Sequence, residues 1–166
     1  LTTTITNIYK TKDQNMVLGT FFTGFFYIKE LNSKIQFSNL ADFSKKTGVV
    51  TANGIVKDKS NRLWVGTNCM GISLLDAKGE LIKHINHSNA EINDDIVSLE
   101  LDGMDNVWAG SLSTGLYKIG SGGNITHYIN QQNDQTSLVG SKVYALYSLN
   151  SDSLIVASNK GVDVYM

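Results

Sequence analysis

The residues of this chain best equipped for chemistry are one cysteine, Cys69, three histidines, His84, His87 and His127, and an acidic run, Glu91-Ile92-Asn93-Asp94-Asp95. A cysteine nucleophile needs an adjacent base to take the thiol proton. No histidine is fixed beside Cys69, which sits in the stretch NRLWVGTNCMG (61–71). The histidines are scattered and show none of the short Cys/His spacings of a zinc site. Calcium needs at least about five converging oxygens, and the acidic run offers Glu91, Asp94 and Asp95 as its obvious ligands. That run, and the similar NQQND at 130–134, read as solvated loops. No metal and no cofactor is expected.

The elements that must hold these residues emerge from the rest of the chain. Its 166 residues are 42% hydrophobic and 17% charged, a composition that folds. The net charge is −1 and no basic run is present, which makes nucleic acid and anionic membrane poor candidates as partners. No apolar run approaches the roughly 18 residues of a membrane span. Leu1 is neither an initiator Met nor the start of a signal peptide, which suggests a mature or excised segment. A single cysteine excludes an internal disulfide. With 15 glycines and no proline, turns fall to Gly, Asn, Asp and Ser.

Laying the chain on itself reveals a repeat. The segments MVLGT (16–20), LWVGT (63–67), VWAGS (107–111) and LIVAS (154–158) superpose, with a small-residue slot at Gly19, Gly66, Gly110 and Ala157. The next slot is Thr20, Thr67, Ser111 and Ser158. Eleven positions before the small residue lies an aliphatic one, Ile8, Ile55, Leu99 or Leu146, and between them a polar turn position, Gln14, Asn61, Asp105 or Asp152. A second glycine (Gly24, Gly71, Gly115, Gly161) opens a third apolar stretch. Asn32, Gly79 and Gly123 then mark a tight turn before a fourth stretch in the first three copies. Each unit reads as four short strands, a to d. LADFSKKTG (40–48) has room for a turn of helix and no more.

Strand b carries three consecutive apolar residues, such as Leu63, Trp64 and Val65. A strand with one wet face alternates, so both faces must be covered. A four-stranded meander buried on both faces is a propeller blade. The expectation is an all-β fold: one partial β-propeller over 1–166, with blades at about 3–49, 50–93, 94–140 and 141–166, the last lacking its outer strand. Trp64 and Trp108 would form inter-blade core. Gly66 and Gly110 would mark close blade contacts, Thr67 would bond the turn backbone, and Gly71 and Gly115 would close the b–c turns. Exposed edges, including strand c of the last copy, invite dimerisation.

The stretches DKSNRLWVGTNCMGI (58–72) and VSLELDGMDNVWAGSLSTGLYKI (97–119) resemble the two-component regulator propeller repeat. HYINQQNDQTSLVGSKVYALY (127–147) is similar to the linker between its blades. The resemblance covers nearly the whole chain, though Val17 and Ile155 replace Trp and Ala157 replaces Gly. It implies the periplasmic sensor region of a Bacteroides-type hybrid two-component receptor, in which propellers precede a β-sandwich, a membrane helix and a histidine kinase. It also implies glycan fragments as signals, and the rest of the propeller and receptor as partners. This segment itself would not be an enzyme.

Against its sister copies Cys69 is a variable turn residue, with Thr23 and Ser113 as counterparts. His84 aligns with Phe37 and Tyr128, a slot for a flat packed ring. In propellers the b–c and d–a loops share one rim. That rim would carry Asn68, Cys69, Met70, His87, Asn89, Glu91, Asn133 and Asp134, whose amides and carboxylates suit sugar hydroxyls. Two other readings stand beside an oligosaccharide sensor: part of a propeller lyase or lactonase, or a structural propeller that mediates homodimerisation.

Overall fold

The computed structural model describes residues 4–10, 16–20, 24–28, 51–77, 80–90 and 92–166, with 24–28 described by backbone alone. Blade 1 holds β1 (Ile5–Lys10), β2 (Met16–Thr20) and β3 (Gly24–Ile28). Blade 2 holds β4 (Ala52–Lys57), β5 (Leu63–Thr67), β6 (Gly71–Leu75) and β7 (Leu81–Ile85). Blade 3 holds β8 (Ile96–Leu101), β9 (Val107–Ser111), β10 (Gly115–Ile119) and β11 (Ile125–Tyr128). Blade 4 holds β12 (Val143–Ser148), β13 (Leu154–Ser158) and β14 (Gly161–Tyr165). Each blade is an antiparallel meander in chain order, and no helix occurs among the described residues. The fold is an arc of a β-propeller. The first copy's IQF stretch and the segment 40–48 lie outside the described residues.

Strand b explains why the blades stack. Leu63 and Val65 of β5 point back into a cluster with Val17, Ala52, Ile55 and Leu75, between blades 1 and 2. Trp64 points forward into a cluster with Ile72, Leu74, Ile96, Leu99 and Tyr117, between blades 2 and 3. Trp108 does the same between blades 3 and 4, beside Leu116, Val143, Leu154 and Val156. Both tryptophans are therefore inter-blade core, at 7% and 1% exposure. Burying about 200 Å² of indole at about 25 cal/mol/Å² contributes roughly 5 kcal/mol before ordering entropy is counted.

The small-residue slot sits where strand a of the next blade crosses. A Cβ on Gly66 would stand 2.7 Å from Ile96 Cγ2, and one on Gly110 2.6 Å from Val143 Cγ1. A Cβ on Gly71, at φ 72°, would run into the Ile85 carbonyl oxygen, so both its turn and its neighbour require glycine. The polar a–b turn position is left-handed at Asn61 (φ 62°) and Asp105 (φ 66°), a conformation Asn and Asp tolerate. Thr67 Oγ1 donates to the Gly71 carbonyl at 2.9 Å, and Ser158 Oγ to the Gly161 carbonyl at 3.1 Å. Ser111 Oγ instead accepts from the Ser113 and Thr114 amides.

The turn into strand b also rests on an aspartate. Asp58 Oδ1 accepts from the Ser60 and Arg62 amides, and its Oδ2 from Arg62 Nε at 2.7 Å and Trp64 Nε1 at 2.9 Å. Asp102 repeats the arrangement with the Met104 and Asn106 amides, Asn106 Nδ2 and Trp108 Nε1. A cation covers each indole: Arg62 lies over Trp64 at 5.9 Å and Lys118 over Trp108 at 4.9 Å.

Strand d corrects one expectation. Fixed spacing aligns His84 with Tyr128, but the pairing sets His84 opposite Ser73 and His127 opposite Tyr117. His84 is thus the counterpart of His127, and Ile85 that of Tyr128. The cause is an irregularity between Leu74 and Leu75 of β6, across which β7 steps from Lys83 to Leu81 and leaves Ile82 unpaired.

Candidate functional site

One end of the blades gathers the loops. The Asn68 amide donates to the Thr51 carbonyl, Leu112 to Asp95, and Asn159 to Lys142, so each b–c turn is tied to the segment entering strand a. The Gly71 amide reaches the Asp94 carbonyl at 2.9 Å. These bonds place the b–c and d–a loops on one rim.

On that rim a shallow, open depression of about 470 Å³ is lined by His87, Asn89, Ala90, Ile92, Asn93 and Tyr117. His87 and Asn89 were expected there. Asn93 and Tyr117 were not singled out by the sequence. The available signal was variation at a shared strand c slot, which holds Ser73, Tyr117 and Asp163 in three blades.

The loop 86–95 is stiffened by its own side chains. Asn89 Oδ1 accepts from the Asn86 amide, and Asn89 Nδ2 donates to the His84 carbonyl at 2.8 Å. Asp94 Oδ1 accepts from the His87 amide, and Asp94 Oδ2 pairs with His87 Nδ1. Asn93 Oδ1 accepts from the Asp95 amide at 2.8 Å. The Asn93 amide in turn donates to Tyr117 Oη at 3.1 Å, and Tyr117 Oη bonds Thr114 Oγ1 at 2.9 Å. His127 stacks on the Tyr117 ring, centroids 4.2 Å apart and 12° from parallel, while its Nε2 donates to the Thr114 carbonyl. Tyr117 is 2% exposed, so it anchors the floor rather than offering a stacking face. What the depression presents to solvent is the imidazole of His87, 72% exposed despite its contact with Asp94, and amide edges. Such groups can exchange hydrogen bonds with hydroxyl-bearing ligands that stay partly hydrated.

The remaining rim candidates are spread apart. Asn68 and Met70 lie in the blade 2 b–c turn, half-buried, with Asn68 Oδ1 accepting from Cys69 Sγ at 3.2 Å. Cys69 is exposed at φ 84°, and Asn68 is its hydrogen-bond partner among the described residues. Asn133 (φ 72°) and Asp134 lie in the exposed loop after blade 3. Asp134 Oδ1 accepts from the Thr136 hydroxyl and amide, which hold its carboxyl below the usual range. Glu91 lies outside the described residues. Among the described residues no group of three or more His, Cys, Asp or Glu is placed to hold a metal ion.

The class this geometry defines is a β-propeller with its loops collected on one rim. Solved structures extend that class. The chain matches the extracellular domain of BT4673 from B. thetaiotaomicron, described as a hybrid two-component system, at TM-score 0.75 and 21% identity over 97% of this chain. It matches that of BT3049, likewise described and from the same organism, at TM-score 0.74 and 16% identity over 98% of this chain. A third match, YCF48 bound to a D1 peptide, has TM-score 0.70 and 14% identity over 98% of this chain. The chain spans 21%, 23% and 50% of the lengths of these three. No protein-family model and no curated protein sequence matches it.

Proposed function

We propose that this chain is a segment of an extracytoplasmic sensor propeller in a hybrid two-component receptor. In this reading it lies in the periplasm and recognises glycan fragments without transforming them. The observation that carries the reading is the fold match to the extracellular domains of BT4673 and BT3049 over nearly all of this chain. The repeat motif points the same way. The rim adds a stiffened loop that displays an imidazole and amides over a shallow floor, a surface suited to hydroxyl-rich ligands. A binding module needs only such positioned polar groups, whereas an enzyme needs a nucleophile or base at a reacting atom.

The test is calorimetry of the complete ectodomain against a panel of oligosaccharides from different polysaccharide classes. The expected result is a micromolar to millimolar heat signal for one class, weakened by His87→Ala. Silence across every class overturns the glycan reading. Turnover of any sugar overturns the non-catalytic one.

A further inference from the structure

The rim depression lies between blades 2 and 3, against the shared core that holds Ile92, Ala90 and Tyr117. Its polar groups differ in what they have left to offer. Asn89 is engaged at both ends of its amide. Tyr117 Oη accepts from the Asn93 amide and bonds Thr114 Oγ1, and its ring is buried. Asn93 Oδ1 faces the Asp95 amide, which can only donate, so the side chain is fixed in orientation. Its Nδ2 keeps N–H donors with no partner among the described residues. His87 spends Nδ1 on Asp94, and its Nε2 has no partner among the described residues.

Asp94 decides what that Nε2 offers. A carboxylate has no proton to give, so the proton between the two groups sits on Nδ1, and the neutral ring carries a lone pair on Nε2. The aspartate is itself anchored. Its Oδ1 accepts from the His87 amide, and its carbonyl accepts from the Gly71 and Ile96 amides, which ties the ring to the b–c turn of blade 2 and the start of β8. The free groups are thus an acceptor, His87 Nε2, and a donor, Asn93 Nδ2. A hydroxyl answers both, because it donates and accepts. A carboxylate or sulfate only accepts, and it meets a lone pair at Nε2. No lysine or arginine lines the depression to offset this. Loop 86–95 contains Glu91, Asp94 and Asp95 and no basic residue other than His87. A site that leaves a charged group unpaired discriminates against it as surely as one that clashes.

We infer that this site selects uncharged, hydroxyl-rich sugars over acidic ones, with His87 Nε2 as the hydroxyl acceptor and Asp94 as its positioning residue. The inference rests on the glycan reading above and narrows it to one chemical class.

Calorimetry of the complete ectodomain tests it at about pH 8, where an imidazole is neutral. The probes are matched oligosaccharide pairs, each neutral member set against a uronate or sulfated counterpart. The neutral member of the recognised pair is expected to bind at least about tenfold tighter. His87→Ala is expected to weaken it about tenfold. Asp94→Asn keeps an acceptor for the His87 amide but presents an N–H to Nδ1, which forces the ring proton onto Nε2. That variant is expected to weaken the neutral sugar and narrow the preference at least about tenfold, whereas a merely disturbed loop weakens both members alike. Asp95→Asn removes a charge from the same loop without a bond to the imidazole, and is expected to leave the preference within about twofold. A wild type that prefers the acidic member overturns the inference and leaves the glycan reading standing. So does an Asp94→Asn variant whose preference matches the wild type. Silence toward both members of every pair overturns the glycan reading itself, and the inference with it.

Discussion

Trp64 donates its indole N–H to Asp58, six residues earlier, and through that bond the core of one interface is tied to the turn that begins strand b. Trp108 and Asp102 repeat the bond in blade 3. A tryptophan cannot enter a core with its N–H unpaired except at considerable cost. The aspartate supplies the acceptor and closes the a–b turn with its other oxygen.

Asp102→Ala therefore leaves a buried indole N–H and two turn amides without their acceptor. The expected loss is about 2–3 kcal/mol, read from urea unfolding. The copies themselves suggest the compensating change, because the fourth carries Leu149 and Ile155 in these two slots. Asp102→Leu combined with Trp108→Ile is expected to cost less than the sum of the single changes, by about 1 kcal/mol or more of coupling.

Acid should find the same residue. Burial alone would raise the Asp102 pKa, but the hydrogen bonds from Asn106, Trp108 and Met104 outweigh it and hold the carboxyl below its ordinary value. A depressed folded-state pKa gives stability that is complete above about 3.9 and lost as pH falls through the lower folded value. Asp102→Asn is expected to flatten the fall in urea midpoint between about pH 4 and pH 2. Glu100 has the opposite sign: burial raises it, and the Ser148 amide lowers it only in part. Glu100→Gln is expected to raise the midpoint at pH 7 and leave it unchanged at pH 3, where the carboxyl is protonated in both states.

Gly66→Ala places a methyl 2.7 Å from Ile96 Cγ2 and 3.2 Å from Leu99 Cγ. Blades 2 and 3 must then move apart, at about 1–3 kcal/mol in thermal or urea unfolding. Gly123→Ala is the control. Nothing lies within 4 Å of its new Cβ, but φ is +86°, so a loss of about 1 kcal/mol is expected from backbone alone.

Cys69 is expected to be dispensable. Its thiol is exposed and its backbone is left-handed at φ 84°. Alkylation should proceed without shifting the thermal transition. Cys69→Val should lower stability by about 1–2 kcal/mol, because a branched side chain fits that conformation poorly, while Cys69→Gly should not.

The architecture was legible because the repeat gave several registered readings of the same slots. The paired Leu63, Trp64 and Val65 showed both faces covered, and the glycine slots showed where blades meet. The Asp–Trp bond has a trace in the sequence as well. Asp occupies its slot in the copies that have Trp, while Thr11 and Leu149 stand with Val17 and Ile155. Strand d misled because a fixed offset cannot register the unpaired Ile82 that moves His84 one position. The rim was least legible. Residue types there do not reveal which amides hold the loop and which face solvent. Asn89 is engaged at both ends and His87 at one, and only the path of the backbone decides that.

The stacking of strand a on strand a joins repeats that are consecutive in sequence. Such a chain behaves as a short one-dimensional array, in which each blade's survival depends on its immediate neighbours. Amide protons in β5 and β9, sandwiched between two interfaces, should exchange with deuterium slowest. Those of β14, an edge strand of its sheet among the described residues, should exchange faster.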